Sequence, residues 1–248
     1  MLPVFFTPAI VLLTSSAVAA LLVYEPFDYP EGDLLMGQNK GLGFASPWAP
    51  AGGRSSDAFA MQPGKLTFRN LAVQGTNHLS ADGVLTGAAG SAGLLRMLAQ
   101  PLGSPNTNAY LSFLFRPDAD PPDVTGIRSA GVVIGAGRPS AELSVGRSGT
   151  ENDYLMQQPG GAGRVGVGVE PRVGETVFIV VRMEFRQGPD RFTMFLNPTP
   201  GEKEPAMGAV KYDLDVELAD TVRLFSFGAC SIDEIRLGTS WADVTPTQ

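Results

Sequence analysis

Hydrophobic and polar positions alternate with period two along much of the chain, and the alternation is clearest over residues 177–196. Val181, Met183 and Phe185 are interleaved with Arg182, Glu184 and Arg186, the pattern of a strand with one buried and one wet face. Gln187-Gly188-Pro189-Asp190 interrupts the run with turn residues, and Phe192, Met194 and Leu196 resume it, so the segment predicts a β-hairpin. Residues 110–116 repeat the pattern through Leu111, Phe113 and Phe115. Residues 130–136 do so through Val132, Val133 and Ile134, followed by Leu143 and Val145. Segments 222–227 and 232–237 predict two further strands separated by Gly228-Ala229-Cys230. The Ala-rich stretch 85–100 carries Gly87, Gly90 and Gly93, each costing up to about 1 kcal/mol in a helix interior. It is read as a turn followed by a strand through Leu94, Leu95, Met97 and Leu98. The Pro-rich stretches 117–123 and 197–205 read as loops. Strands at this spacing predict an all-β chain, an antiparallel β-sandwich or jelly roll.

Composition narrows the class. Residues 1–23 carry no charged side chain, and Glu25 is the first. An apolar run through Val4-Phe5-Phe6 and Ile10-Val11-Leu12-Leu13 precedes Ala17-Val18-Ala19, which predicts a signal peptide over 1–19 cleaved before Ala20. A retained N-terminal anchor is the alternative, since about 20 apolar residues can span a bilayer; Pro3, Pro8 and the Ala-x-Ala site favour cleavage. Residues 20–248 are then expected to form a single domain with a sizeable core. The net charge of −7 and the lack of a basic stripe argue against a nucleic-acid partner. Cys230 is the only cysteine, which excludes an intrachain disulfide and the Cys-rich zinc patterns. His78 is the only histidine and follows Gly75-Thr76-Asn77, so it reads as a solvated turn residue rather than a member of a catalytic triad.

Two ends of the chain carry a resemblance. Tyr24-Glu25-Pro26-Phe27-Asp28-Tyr29-Pro30-Glu31-Gly32, with Gly37-Gln38-Asn39-Lys40-Gly41-Leu42-Gly43-Phe44 and Trp48, resembles the start of concanavalin A-like (laminin G-like) jelly-roll proteins secreted by planctomycetes and related bacteria. Ile232-Asp233-Glu234-Ile235-Arg236-Leu237-Gly238-Thr239-Ser240-Trp241-Ala242-Asp243-Val244-Thr245-Pro246 resembles their last strand and exit, and Gly174-Glu175-Thr176 with Phe195-Leu196-Asn197-Pro198 is similar to their central hairpin. Lys40 departs from the family's usual Gly at that position, and no sorting tail follows Gln248, which implies free secretion. The resemblance implies a concanavalin A-like jelly roll whose first and last strands are neighbours.

That topology turns attention to Glu25, Asp28 and Asp233. On strict alternation Asp233 shares the face of Ile235 and Leu237, so its carboxylate points inward and requires a partner. A structural calcium held by Glu25, Asp28 and Asp233 is one such partner, and related jelly rolls often hold one near their termini. Hydrogen bonding to loop amides or to an Arg is the other.

No catalytic residue is assigned. Asp213, Asp215 and Glu217 alternate with Leu214, Val216 and Leu218, the closest approach to the paired carboxylates that glycan hydrolases of this fold place on one strand. The outer pair is about 13 Å apart along a strand, whereas a retaining pair requires about 5 to 5.5 Å. The stretch therefore reads as a solvated acidic face. Gly161-Ala162-Gly163 and Gly166-Val167-Gly168 lack the Lys and Ser or Thr of a phosphate loop. Trp48 and Trp241 read as packing residues, which leaves Asn152, Asp153 and Tyr154, on a loop between Gly149 and Gly160, as the ligand-binding candidates. The function expected from all this is a secreted, non-catalytic β-sandwich module that binds polysaccharide or another cell-surface polymer and has no membrane contact after signal cleavage. An envelope or matrix structural protein without a small ligand, and a glycan-active hydrolase, are the alternatives.

Overall fold

The alternating segments pair into two antiparallel sheets whose inner faces share one core. The computed structural model describes residues 20–51, 57–81, 92–119, 129–148 and 151–248. The expected signal segment 1–19, Gly87, Gly90, Gly149 and the last part of the 117–123 loop lie outside the described residues. In chain order the strands are β1 (Leu21–Glu25), β2 (Ala49–Pro50), β3 (Phe59–Pro63), β4 (Asn77–Ala81) and β5 (Ala92–Leu102). They continue with β6 (Asn108–Pro117), β7 (Ala130–Gly135), β8 (Glu142–Arg147), β9 (Tyr154–Gln157) and β10 (Val165–Gly166). The series ends with β11 (Val177–Arg186), β12 (Gly188–Leu196), β13 (Ala209–Leu214), β14 (Ala219–Ser226) and β15 (Cys230–Gly238), before a one-turn helix α1 (Trp241–Val244).

One sheet runs β13-β12-β11-β6-β15-β4-β3 with β1 alongside the second half of β15, and the other runs β10-β9-β8-β7-β14-β5-β2. The first and last strands are therefore neighbours, in the register Leu21↔Gly238 to Glu25↔Ile235. Inward residues of both sheets, among them Phe113, Phe115, Ile179, Val181, Ile134, Val145, Val222 and Leu224, build the common core. The core follows from the alternation: each is an apolar position whose sequence neighbours point the other way.

The outer faces differ from a simple wet surface. On β11 only the second half is wet. Phe178 and Val180, with Leu114 and Phe195, are covered by Leu66, Leu71 and Val73 of the 65–73 segment and by Val244 of α1. The eight-stranded sheet thus has a third, partial layer. α1 is fixed by a capping box in which Ser240 and Asp243 bond each other's backbone amides.

In β15 the pairing with β6 slips between Asp233 and Arg236, and Glu234 adopts a positive φ of 57°. This is a β-bulge, and its extra residue reverses the alternation. Ile232, Ile235 and Leu237 all face the common core, while Asp233 faces the outer layer, where its Oδ2 accepts the Leu66 amide at 3.0 Å. The inward direction expected for Asp233 from strict alternation is corrected by the bulge. His78 is corrected too. It lies in β4, is 6 % exposed, and bonds the Gly64 carbonyl through Nδ1.

Candidate functional site

The residues expected to form a site are largely consumed by the fold. Glu25 Oε2 accepts from Arg96 Nη1 (2.7 Å), Tyr29 Oη (3.0 Å) and Trp48 Nε1 (3.0 Å), and Oε1 accepts from the Phe27 amide. Burial raises the Glu25 pKa, while Trp48, Arg96 and Tyr29 pull it back. Arg96 also donates to the Ser46 carbonyl and Asn39 Oδ1, so each of its three nitrogens has a partner, and it lies 4.0 Å from the Phe44 ring centroid. The N-terminal motif residues Asn39, Phe44 and Trp48 are therefore the shell of a buried ion pair. Lys40, the departure from the motif, donates to the Asp28 carbonyl and holds that turn.

Asp233 accepts the amides of Leu66 and Glu234, and burial together with the adjacent Glu234 raises its pKa well above the ordinary carboxylate range. Asp28 is exposed. No cluster of three or more His, Cys, Asp or Glu residues able to hold a metal occurs among the described residues. Glu25 and Asp233 already have donors on both oxygens, so the expected calcium ligands do not fit a cation. Loop amides and an Arg take that role.

Asn152, Asp153 and Tyr154 are brought together, but as a brace. Asp153 accepts the amides of Gly168 and Val169, and Asn152, at a φ of 48°, bonds Glu170. Tyr154 opens β9 rather than standing on an exposed loop. It is 1 % exposed, packs edge-on against Phe115, has no hydrogen-bond partner for its buried hydroxyl, and lines an edge cleft of about 350 Å³ together with Glu170 and Glu175. The acidic stretch 213–217 is split: β13 ends at Leu214, Glu217 turns at a φ of 54° and pairs with Arg138, and Asp213 pairs with buried Lys211. Trp48 is buried, and Trp241 packs edge-on against Phe195 and Tyr110, so both indoles pack as expected.

A different site emerges from strand register on the outer face of the seven-stranded sheet. Arg223 of β14 stands opposite Val133 of β7, Val133 opposite Ser144 of β8, and Ser144 opposite Gln157 of β9. Two residues along lies the row Phe225, Gly131, Gly146 and Leu155. Beyond it Phe227 bonds the Ser129 carbonyl, and Ser148 bonds the Asp153 carbonyl. The first and third rows, with Phe225 and the turn Pro159-Gly160-Gly161 and Arg164, enclose a trench of about 320 Å³. Gly131 and Gly146 lie between those rows and put no side chain into it. A Cβ on Gly131 would collide with the Val145 carbonyl, and one on Gly146 with the Ala130 carbonyl, so this stretch of floor can only be glycine.

The trench is mixed in chemistry. Phe225 and Phe227 supply aromatic surface; Ser144, Ser148 and Gln157 supply neutral hydrogen-bonding groups; Arg164 and Arg223 supply positive charge. Arg223 Nη2 donates to Glu142 Oε2 at 2.6 Å, and Arg164 Nη1 to Glu151 Oε1 at 2.8 Å. Two buried polar atoms have no protein partner: Arg223 Nε and Gln157 Oε1. Such atoms are costly unless something bonds them. Carboxyl, imidazole and thiol groups are absent from the described lining residues. These site residues were missed from sequence, although the alternation held the signal: Leu143/Val145 and Val222/Leu224 turn inward, which sends Ser144, Arg223 and Phe225 outward.

No protein-family model matches the sequence, and no curated protein matches it. Among solved structures, endo-β-1,4-glucuronan lyase from the fungus Trichoderma reesei superposes with a TM-score of 0.54 at 13% identity, over 92% of this chain and 100% of the lyase chain. An endo-1,3-β-glucanase from Streptomyces sioyaensis superposes with a TM-score of 0.50 at 9% identity, over 94% of this chain and 99% of that chain. These likenesses, with the two-sheet topology, show the fold to be an antiparallel β-sandwich of the jelly-roll kind. Among the described residues no helix is long and apolar enough to cross a membrane.

Proposed function

We propose that the protein is a secreted, non-catalytic module, residues 20–248 forming its single domain, that binds polysaccharide in the glycine-floored trench. This is also the role suited to its resemblance to the secreted planctomycete jelly rolls. The observation that carries the reading is the trench itself: Phe225 and Phe227 flanking a bare floor, with the unpartnered Gln157 Oε1 and Arg223 Nε at its sides. Sugar rings present flat C–H faces to aromatic side chains and hydroxyls to amides and guanidiniums, which is the combination lining this cleft. Glycoside hydrolysis in most enzyme families uses two carboxyl groups flanking the bond. The described trench residues supply none, so binding accounts for the site better than hydrolysis. The two enzymes similar in structure act, by their names, on glucuronan and on 1,3-β-glucan; the sheet architecture they share with this chain supports a glycan as the ligand class.

The test is retention of the protein on a panel of immobilised polysaccharides. Phe225→Ala and Gln157→Ala are each expected to weaken retention about tenfold, equivalent to about 1.4 kcal/mol, while Glu217→Gln on the remote acidic stretch leaves it unchanged. Retention that survives both trench substitutions would move the site elsewhere.

A further inference from the structure

We infer that the trench selects an acidic polysaccharide, with Arg223 binding the carboxylate of one uronic acid residue and Gln157 accepting a hydroxyl from another; this rests on the glycan-binding reading above. The argument starts from what the site lacks. Arg223 carries five N–H donors in a planar fork suited to carboxylates, and its buried counter-ion Glu142 meets one nitrogen, Nη2. The Arg223 Nε hydrogen is buried and meets nothing, as does Gln157 Oε1. Just beneath its surface the trench therefore holds an unsatisfied cationic donor and an unsatisfied neutral acceptor, which a ligand meets once the Arg223 or Gln157 side chain turns outward. A neutral sugar presents only hydroxyls and satisfies the donor weakly. A uronate presents a carboxylate for the guanidinium, forming a charge-assisted bond about twice as strong as a neutral one, and hydroxyls for the amide.

Charge agrees. Both ionisable side chains among the described lining residues, Arg164 and Arg223, are cationic, in a chain with a net charge of −7. Their carboxylate partners Glu142 and Glu151 do not line the cleft. Scale agrees as well. Arg223 and Gln157 belong to one cross-strand row separated by three strand spacings, roughly 14 Å at about 4.8 Å each. That distance exceeds one pyranose ring and suits an oligosaccharide lying across the strands.

The experiment titrates the protein with polygalacturonate, alginate and polyglucuronate, each beside its own carboxyl-reduced form, by calorimetry at low and high salt. At least one polyuronate is expected to bind ten or more times tighter than its carboxyl-reduced form, with a gap that narrows in salt. Arg223→Gln alone leaves Glu142 buried without its partner and risks the fold, so the variant is Glu142→Gln combined with Arg223→Gln, checked by thermal melting. This pair is expected to erase the gap between charged and reduced polymers. Equal binding of both forms, weakened by Phe225→Ala, would overturn the carboxylate assignment and leave glycan binding standing. A gap unchanged in the double variant would overturn the role of Arg223. No binding to any polymer would overturn both readings.

Discussion

Single residues show how far alternation and composition reach in this chain. Trp48 and Trp241 could be placed from sequence as packing residues, because an indole inside an apolar motif has few alternatives, whereas Cys230, read as part of a separator, opens β15 and is buried. Glu25 and Asp233 were recognisable as carboxylates needing partners, but not which partners: those arrive from residue 96 and residue 66, far along the chain. His78 was misread because the Gly75-Thr76-Asn77 turn ends one residue sooner than expected, and β4 begins at Asn77. Its Nδ1 faces the Gly64 carbonyl and its Nε2 faces the Arg116 guanidinium, an arrangement that holds the ring neutral with the proton on Nδ1. Burial, aided by Arg116, lowers its pKa below the ordinary 6.5. A lowered histidine contributes stability above about pH 6.5 that is lost as the pH falls through the folded value. The raised pKa values of buried Glu25 and Asp233 act in the opposite sense, so the His78 contribution is read as a difference: the urea midpoint of the wild type relative to His78→Gln is expected to decline between pH 7.5 and pH 5. Equal pH dependence in both would show that the ring charges without cost.

At the level of elements, the period-two signal located β6, β11, β12, β14 and β15 because each places two or more large apolar residues on one face. What it did not contain is pairing. β14 sits between β7 and β5, and β15 between β6 and β4, neighbours separated by many tens of residues. The trench exists only because those distant strands meet in one register. The bulge at Glu234 was equally hidden, since an extra residue in a strand leaves the composition of the run unchanged. The glycine pair in the floor makes a sharp claim about β7 and β8. Gly146→Ala drives a methyl group into the Ala130 carbonyl of the paired strand, overpacking that costs about 1–3 kcal/mol. Its denaturation midpoint should drop accordingly, whereas an unaltered midpoint would mean that the two backbones separate freely.

For the whole molecule, the fold class was readable from sequence and the trench was not. The motifs at the two chain ends describe the eight-stranded sheet and its buried Glu25–Arg96 pair, while the trench occupies the outer face of the other sheet. That division has a geometric consequence for how the protein can be held. Ala20 and Thr239 bond each other beside β1, and Gln248 bonds Asn70 in the layer over the eight-stranded sheet. Both points of departure therefore lie across the sandwich from the trench. A chip to which the protein is coupled through Gln248 should capture ligand with the affinity measured in free solution; a marked loss would place the binding face on the terminal side. A tether at either end, whether to a bead, a membrane or a neighbouring domain, leaves the trench facing outward. In the proposed function the sandwich holds the trench two sheets away from both of these points of departure.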